Sequence, residues 1–151
     1  MAIRVTTYVH GTCVALQAGG RWRGILLRGP SGAGKSDLAL RLVEGGARLV
    51  ADDQTALARR GRSLVATPPG TLAGLLEVRG IGIVKLGRAK LLARATVDLL
   101  VDLVPPDCIE RLPDPARETL FDVDLPVLAL TPFEASAPVK LRLALARTAA
   151  A

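Results

Sequence analysis

The sequence predicts an α/β fold, and three observations carry that expectation. Short apolar runs bounded by turn residues recur along the 151 residues, as buried strands do: Gly24–Leu27, Arg48–Ala51, Ala95–Val104 and Val127–Leu130. A glycine-rich loop follows the first run and leads into Ser36–Glu44, where Leu38, Leu42 and Val43 share one helical face. Hydrophobic residues make up 50% of the chain but aromatics only 3%, so the core must be built from Leu, Val, Ile and Ala. This length suits one domain, and residues 1–151 are read as a single unit.

The remaining elements follow in order. Ile3–Leu16 alternates loosely and is rich in Val and Thr, which reads as strands ahead of a Gly19-Gly20 turn. Gly45-Gly46 ends the helix. Gly61 and Pro68-Pro69-Gly70 mark turns. Ala95–Val104 is a strand with Asp98 and Asp102 inside it, and Pro105–Arg117 is an exposed loop or short helix. From Ser136 the pattern is ambiguous. Val139, Leu141, Leu143 and Leu145 alternate as in a strand, but Ala, Leu and Arg favour helix. Ser136 as N-cap and Pro138 in the first turn tip the reading to helix.

Composition excludes several classes. A chain this hydrophobic is not a disordered tail. One Trp, one Tyr and two Phe are too few for a single-strand stacking platform, so nucleic acid is not an expected partner. The formal charge is +6, with 16 Arg and four Lys scattered rather than in blocks. That pattern fits a solvated basic surface, or attraction to phosphates or to an acidic protein. Cys13 and Cys108 match no metal spacing and no disulfide framework. No secretory signal and no apolar run of membrane-spanning length is present, so a cytoplasmic protein without a membrane partner is expected.

Gly29-Pro30-Ser31-Gly32-Ala33-Gly34-Lys35-Ser36 is a complete Walker A motif. Its glycines let successive backbone N–H groups point at a phosphate, and the following helix adds the positive end of its dipole. Lys35 can reach the β- and γ-phosphates, and the Ser36 hydroxyl can take a Mg²⁺ position. A nucleoside triphosphate or another polyphosphate is the expected ligand.

Asp52 and Asp53 end the apolar run Arg48–Ala51. In a parallel sheet that end lies beside the phosphate loop. One carboxylate could hold Mg²⁺, while the other could accept a proton from an attacking hydroxyl. Adjacent carboxylates also repel, which can raise one pKa. The bland alternative is a polar turn after a strand. Leu76-Glu77-Val78-Arg79-Gly80-Ile81-Gly82-Ile83-Val84, read by itself, is a strand end followed by glycine turns.

Taken together, His10-Gly11, Gly29–Ser36, Leu49–Asp53 and Leu76–Val84 resemble the catalytic domain of HPr kinase/phosphorylase. The resemblance spans roughly residues 5–130, and Glu77–Ile83 is its most diagnostic piece. It implies a P-loop nucleotide-binding fold similar to that of phosphoenolpyruvate carboxykinase. It also implies ATP- and Mg²⁺-dependent phosphorylation of a seryl hydroxyl on HPr, the small carrier protein of the sugar phosphotransferase system, or on an HPr-like carrier. By the same resemblance, Lys35 and Ser36 bind ATP phosphates and Mg²⁺, and Glu77 is a second Mg²⁺ ligand. Asp53 takes the seryl proton, while Asp52 supports Asp53 or the metal. His10, the only His, falls on the family's histidine beside the loop. Glu110-Arg111-Leu112 resembles a mobile-loop segment in which Arg111 would act as an arginine finger. A homohexamer is implied as well.

Two departures accompany the likeness. Only 28 residues precede Gly29, which is expected for a short form without the family's separate N-terminal domain. Where the family carries P-V-x-P-G-R-N, this chain reads Thr131-Pro132-Phe133-Glu134-Ala135-Ser136-Ala137-Pro138 and lacks that glycine and arginine. Reverse phosphorolysis is therefore the less supported half of the expected activity. The competing readings are a catalytically silent ATP-sensing module and a small-molecule P-loop kinase or ATPase.

Overall fold

A computed structural model describes residues 5–148. Ile3 and Arg4, expected at the head of the first strand, lie outside these residues. Eleven strands and two α-helices are formed among the described residues. In chain order they are β1 Thr6–His10, β2 Thr12–Ala18, β3 Arg21–Arg28, α1 Lys35–Glu44, β4 Arg48–Ala51, β5 Gln54–Arg60 and β6 Ser63–Thr67. Then follow β7 Leu75–Val78, β8 Gly82–Lys85, β9 Ala95–Leu103, β10 Ala116–Leu120, β11 Val123–Leu130 and α2 Ala137–Arg147.

The main sheet runs β1-β5-β6-β9-β3-β2-β4, with β11 and β10 attached through β9. β9 is its hub: its first residues pair with β6 and its last with β11, while β3 lies along the other side. The parallel sheet expected around the acidic pair is not what forms. Among the strand pairs of the described residues only β3–β9 and β9–β11 are parallel, and the other pairs are antiparallel. β4 nevertheless points the same way as β3, because each is antiparallel to β2 between them. The end of β4 that carries Asp52 therefore lies at the same edge of the sheet as the loop that follows β3.

Side-chain alternation sorts the core onto the two faces. Val14, Leu16, Ile25, Leu27, Leu99 and Val101 meet α1 and α2 on one face. Cys13, Ala15, Leu26, Leu100, Leu57 and Val123 pack on the other. The register against β3 shifts between Gly24↔Val97 and Ile25↔Leu99, so Asp98 is the extra residue of a bulge. Asp98 accepts from the buried Arg23 at 2.7 Å, and Arg23 also donates to the Leu145 and Thr148 carbonyls at the end of α2. Gly24 opens the apolar run as a glycine because a Cβ there would come within 2.6 Å of the Thr96 carbonyl oxygen of β9. Burial pushes the Cys13 thiol up to about 12, which leaves it inert as a nucleophile.

Several boundaries differ from expectation. β11 begins at Val123, four residues early, and holds Pro126. Pro126 faces Arg117 in the ladder with β10, and β9 joins β11 only from Val127 onward, so the proline lies ahead of the β9 pairing. Ala116 and Arg117, expected in a loop, start β10, which pairs with β11. The rest of Pro105–Arg117 is a short 3-10 turn and open chain. β5 and β6 flank the turn at Gly61 without a clear sequence signal of their own, because their Arg-rich ends mask the alternation. Ser136 does precede α2, but its side chain makes no capping bond. The chain enters that helix through a tight turn in which the Ala137 N–H donates to the Glu134 carbonyl at 3.1 Å.

Candidate active site

Between β3 and α1 the chain must reverse from strand to helix. Gly32 and Gly34 take φ of 84° and 102°, a region that a Cβ disfavours. The Ala33 N–H donates to the Pro30 carbonyl at 3.0 Å, and the Leu38 N–H donates to Gly34 at 2.9 Å to begin the helix. Lys35 is buried, and its Nζ donates to the Gly29 and Pro30 carbonyls at 2.7 and 3.0 Å. The loop thus closes on its own lysine, and the first amides of α1 add partial positive charge above it.

A second group steadies the root of the loop. Arg28, the residue before Gly29, donates to both oxygens of Asp102 at 2.8 and 3.1 Å and to both oxygens of Glu118 at 2.7 and 2.8 Å. The fork joins β3, β9 and β10. Hydrogen bonds from Arg28 hold the Glu118 carboxyl below its ordinary range, and the Glu118 hydrogen bond leads in raising Arg28. Nothing in the local sequence marks this cluster, because its members come from three separate strands.

Asp52 and Asp53 enter different surroundings. The Asp52 residue is buried, and Oδ1 accepts from the Ser36 hydroxyl at 2.7 Å and the Thr12 hydroxyl at 2.9 Å. Oδ2 accepts from the Glu77 backbone N–H at 3.0 Å. One carboxylate therefore joins α1, β2 and β7 at the end of β4. Asp53 turns outward with its side chain 69% exposed. Its φ of 65° is unusual for a residue with a Cβ, though Asp tolerates it best. Two backbone contacts hold that pose: the Asp53 N–H donates to Thr12 Oγ1 at 3.2 Å, and the Asp53 carbonyl accepts from Gly11 at 2.9 Å. His10 Nδ1 lies 3.5 Å from Asp53 Oδ1.

These pieces face one pocket of about 300 Å³. Its walls include Gly32, Gly34, Lys35 and Ser36 from the loop, Asp53 from the end of β4, and Glu77 from β7. Of the remaining expected residues, Ser31 also faces the pocket; Gly29, Pro30 and Ala33 shape the loop without lining it. Asp52 sits behind Ser36, and His10 stands at the rim beside Asp53. Arg111 is not brought in: it is exposed in the open stretch 109–115. Thr12, Leu40 and Phe133 were missed by sequence reading, Thr12 because its partners lie 40 and 41 residues away. A wider groove of about 500 Å³ beside Trp22, Arg60 and Arg94 holds no carboxylate and no part of the loop. The smaller pocket has the chemistry.

Hard oxygen donors are what Mg²⁺ takes, and Ser36, Asp53 and Glu77 offer them on one wall. No cluster of three or more His, Cys, Asp or Glu suited to a metal occurs among the described residues. No helix among the described residues is long and apolar enough to cross a membrane.

The chain also has relatives among known proteins. Residues 2–136 match the family described as the HPr serine kinase C-terminal domain. HPr kinase/phosphorylase of Geobacillus thermodenitrificans is 34% identical over 134 residues, covering 83% of this chain and 42% of that protein. The enzyme of the same name from Lactiplantibacillus plantarum is 36% identical over 131 residues, covering 81% and 40%. The chain thus spans less than half the length of these curated relatives. The solved Hpr(Ser) kinase/phosphatase of Coxiella burnetii superposes with a TM-score of 0.76 at 24% identity, over 93% of this chain and 88% of that one, and shares its mixed α/β fold. The family match covers most of the sequence, and the chain belongs to the HPr serine kinase C-terminal domain family.

Proposed function

We propose that this chain is a P-loop kinase unit that transfers the γ-phosphoryl group of ATP to a seryl hydroxyl of HPr or an HPr-like carrier. The observation that carries the reading is the placement of Lys35, Ser36, Asp53 and Glu77 around one pocket. The family membership and the curated relatives' names support the substrate class.

The roles follow from position. Amides of the loop and the Lys35 ammonium bind the phosphate chain. Ser36 and Glu77 would hold Mg²⁺, with Asp52 orienting Ser36 from behind through the 2.7 Å hydrogen bond. When bound, the ion neutralises charge on the phosphate oxygens. Asp53 is exposed, so a hydroxyl borne on a protein surface can reach it. Its carboxylate takes the seryl proton as the seryl oxygen bonds to the γ-phosphorus. The bond from that phosphorus to the bridging oxygen breaks, and ADP leaves. His10 steadies the Asp53 carboxylate at the rim. Arg111 would have to move with its loop to meet the transferred group.

Incubation with γ-labelled ATP, Mg²⁺ and purified HPr-like carriers tests this. Label on a carrier serine is expected, with Asp53→Asn binding ATP as before but transferring nothing. A carrier left unlabelled while ATP is bound and stays intact refutes the kinase reading.

A further inference from the structure

We propose that Phe133 is the nucleobase platform of this pocket, its ring stacking on the purine of the nucleotide whose phosphates the glycine-rich loop binds. The inference deepens the nucleotide reading above and rests on it.

Phe133 is one of only four aromatic residues in the chain, and it is 66% exposed between a buried Pro132 and the start of α2. Its backbone is not loose. The Arg41 guanidinium, projecting from α1, donates to the Pro132 carbonyl on one side and to the Glu134 carbonyl at 3.4 Å on the other. The Glu134 carboxylate is held in turn by Lys140 at 2.8 Å. The residues flanking Phe133 are clamped to the two helices, yet its ring is left unburied. A ring wanted only for packing would be turned into the core at a gain of roughly 1.5–3 kcal/mol.

The ring has a definite seat. A Cβ on Gly34 would come within 2.8 Å of Phe133 Cζ, so the ring lies directly against the loop just before Lys35. Gly34 is needed there for its φ of 102° and also for the space. Leu40 and Val78 line the same pocket. Leu40 stands one helical turn beyond Ser36 on the same face of α1, so it extends the wall away from the phosphate-binding end. The pocket lining thus holds apolar Leu40, Val78 and Phe133 beside the polar and charged Lys35, Ser36, Asp37, Asp53, Glu77 and Arg79. A triphosphate alone would use only the polar groups; a flat heteroaromatic ring is what Phe133 and its apolar neighbours accommodate.

Calorimetric titration with two probes separates the possibilities: a non-hydrolysable ATP analogue and inorganic tripolyphosphate, each with Mg²⁺. Wild-type protein is expected to bind both. Phe133→Ala should weaken the analogue about tenfold, within the range for base–aromatic stacking, and leave tripolyphosphate unchanged. Phe133→Tyr should restore the analogue. Equal weakening of both probes would mean that the ring merely shapes the loop, and no weakening of either would place the base elsewhere; each overturns this inference alone. Wild-type protein that binds neither probe overturns the nucleotide reading with it.

Discussion

Replacing Thr12 by Val keeps the side-chain shape and removes one hydroxyl from a fully buried site. That hydroxyl donates to Asp52 Oδ1 at 2.9 Å and accepts from the Asp53 N–H at 3.2 Å. Losing the first bond takes a donor from a buried carboxylate, a loss of about 1.5–3 kcal/mol. Losing the second frees an amide that helps hold Asp53 at φ 65°. Asp52 keeps Ser36 and the Glu77 amide, so the two losses do not add in full. The expected destabilisation is about 3 kcal/mol, seen in urea as a lower midpoint with an unchanged slope. Transfer should fall further than stability accounts for, because Asp53 can relax out of the left-handed region and lose its position at the pocket. Thr12→Ser keeps the hydroxyl and should recover most of both properties. The reasoning is refuted if Thr12→Val matches wild type in midpoint and rate, or if Thr12→Ser is as damaged as Val.

Lys35→Ala removes a buried ammonium from the loop, and phosphoryl transfer should drop on the order of 10²-fold or more; a near-normal rate would remove Lys35 from the mechanism. Glu118→Gln tests the fork at the root of the loop. The Glu118 carboxyl is depressed in the folded protein from its ordinary 4.5, so its stabilisation is fully present above that pH and is lost as the pH falls through the lower folded value. The gap in urea midpoint between wild type and Glu118→Gln should therefore be full at neutral pH and close on the acid side. A gap that widens in acid would show the sign to be wrong.

Features made by neighbouring residues are legible in the amino-acid order. The loop from Gly29 to Ser36 depends on glycines and a lysine in fixed local order, so the motif reads directly, as does the helix it opens. β4 forms at Arg48–Ala51 as expected, because a short run with three consecutive apolar residues between glycines and acids has few other uses. Glu77 entered through resemblance to a family; its own surroundings say only strand and turn, which is what the β7–β8 hairpin is. The placement of the acidic pair at the loop was expected for a parallel sheet and arises instead from two antiparallel steps through β2. Side-chain periodicity is the same in either kind of ladder, so pattern reading cannot choose between them.

The sequence by itself determined that this chain carries a phosphate-loop motif and, after it, acidic residues at a strand end, since that chemistry is written in contiguous residues. Only the tertiary structure decided which acid faces in and which faces out. Asp52 is claimed by Ser36, Thr12 and the Glu77 amide, and Asp53 is left exposed beside His10. It also decided that Arg28 would find Asp102 and Glu118, and that Phe133 would lie on Gly34. Each of these contacts joins residues far apart in the chain, and their meeting depends on strand order and helix docking, for which local composition carries no signal.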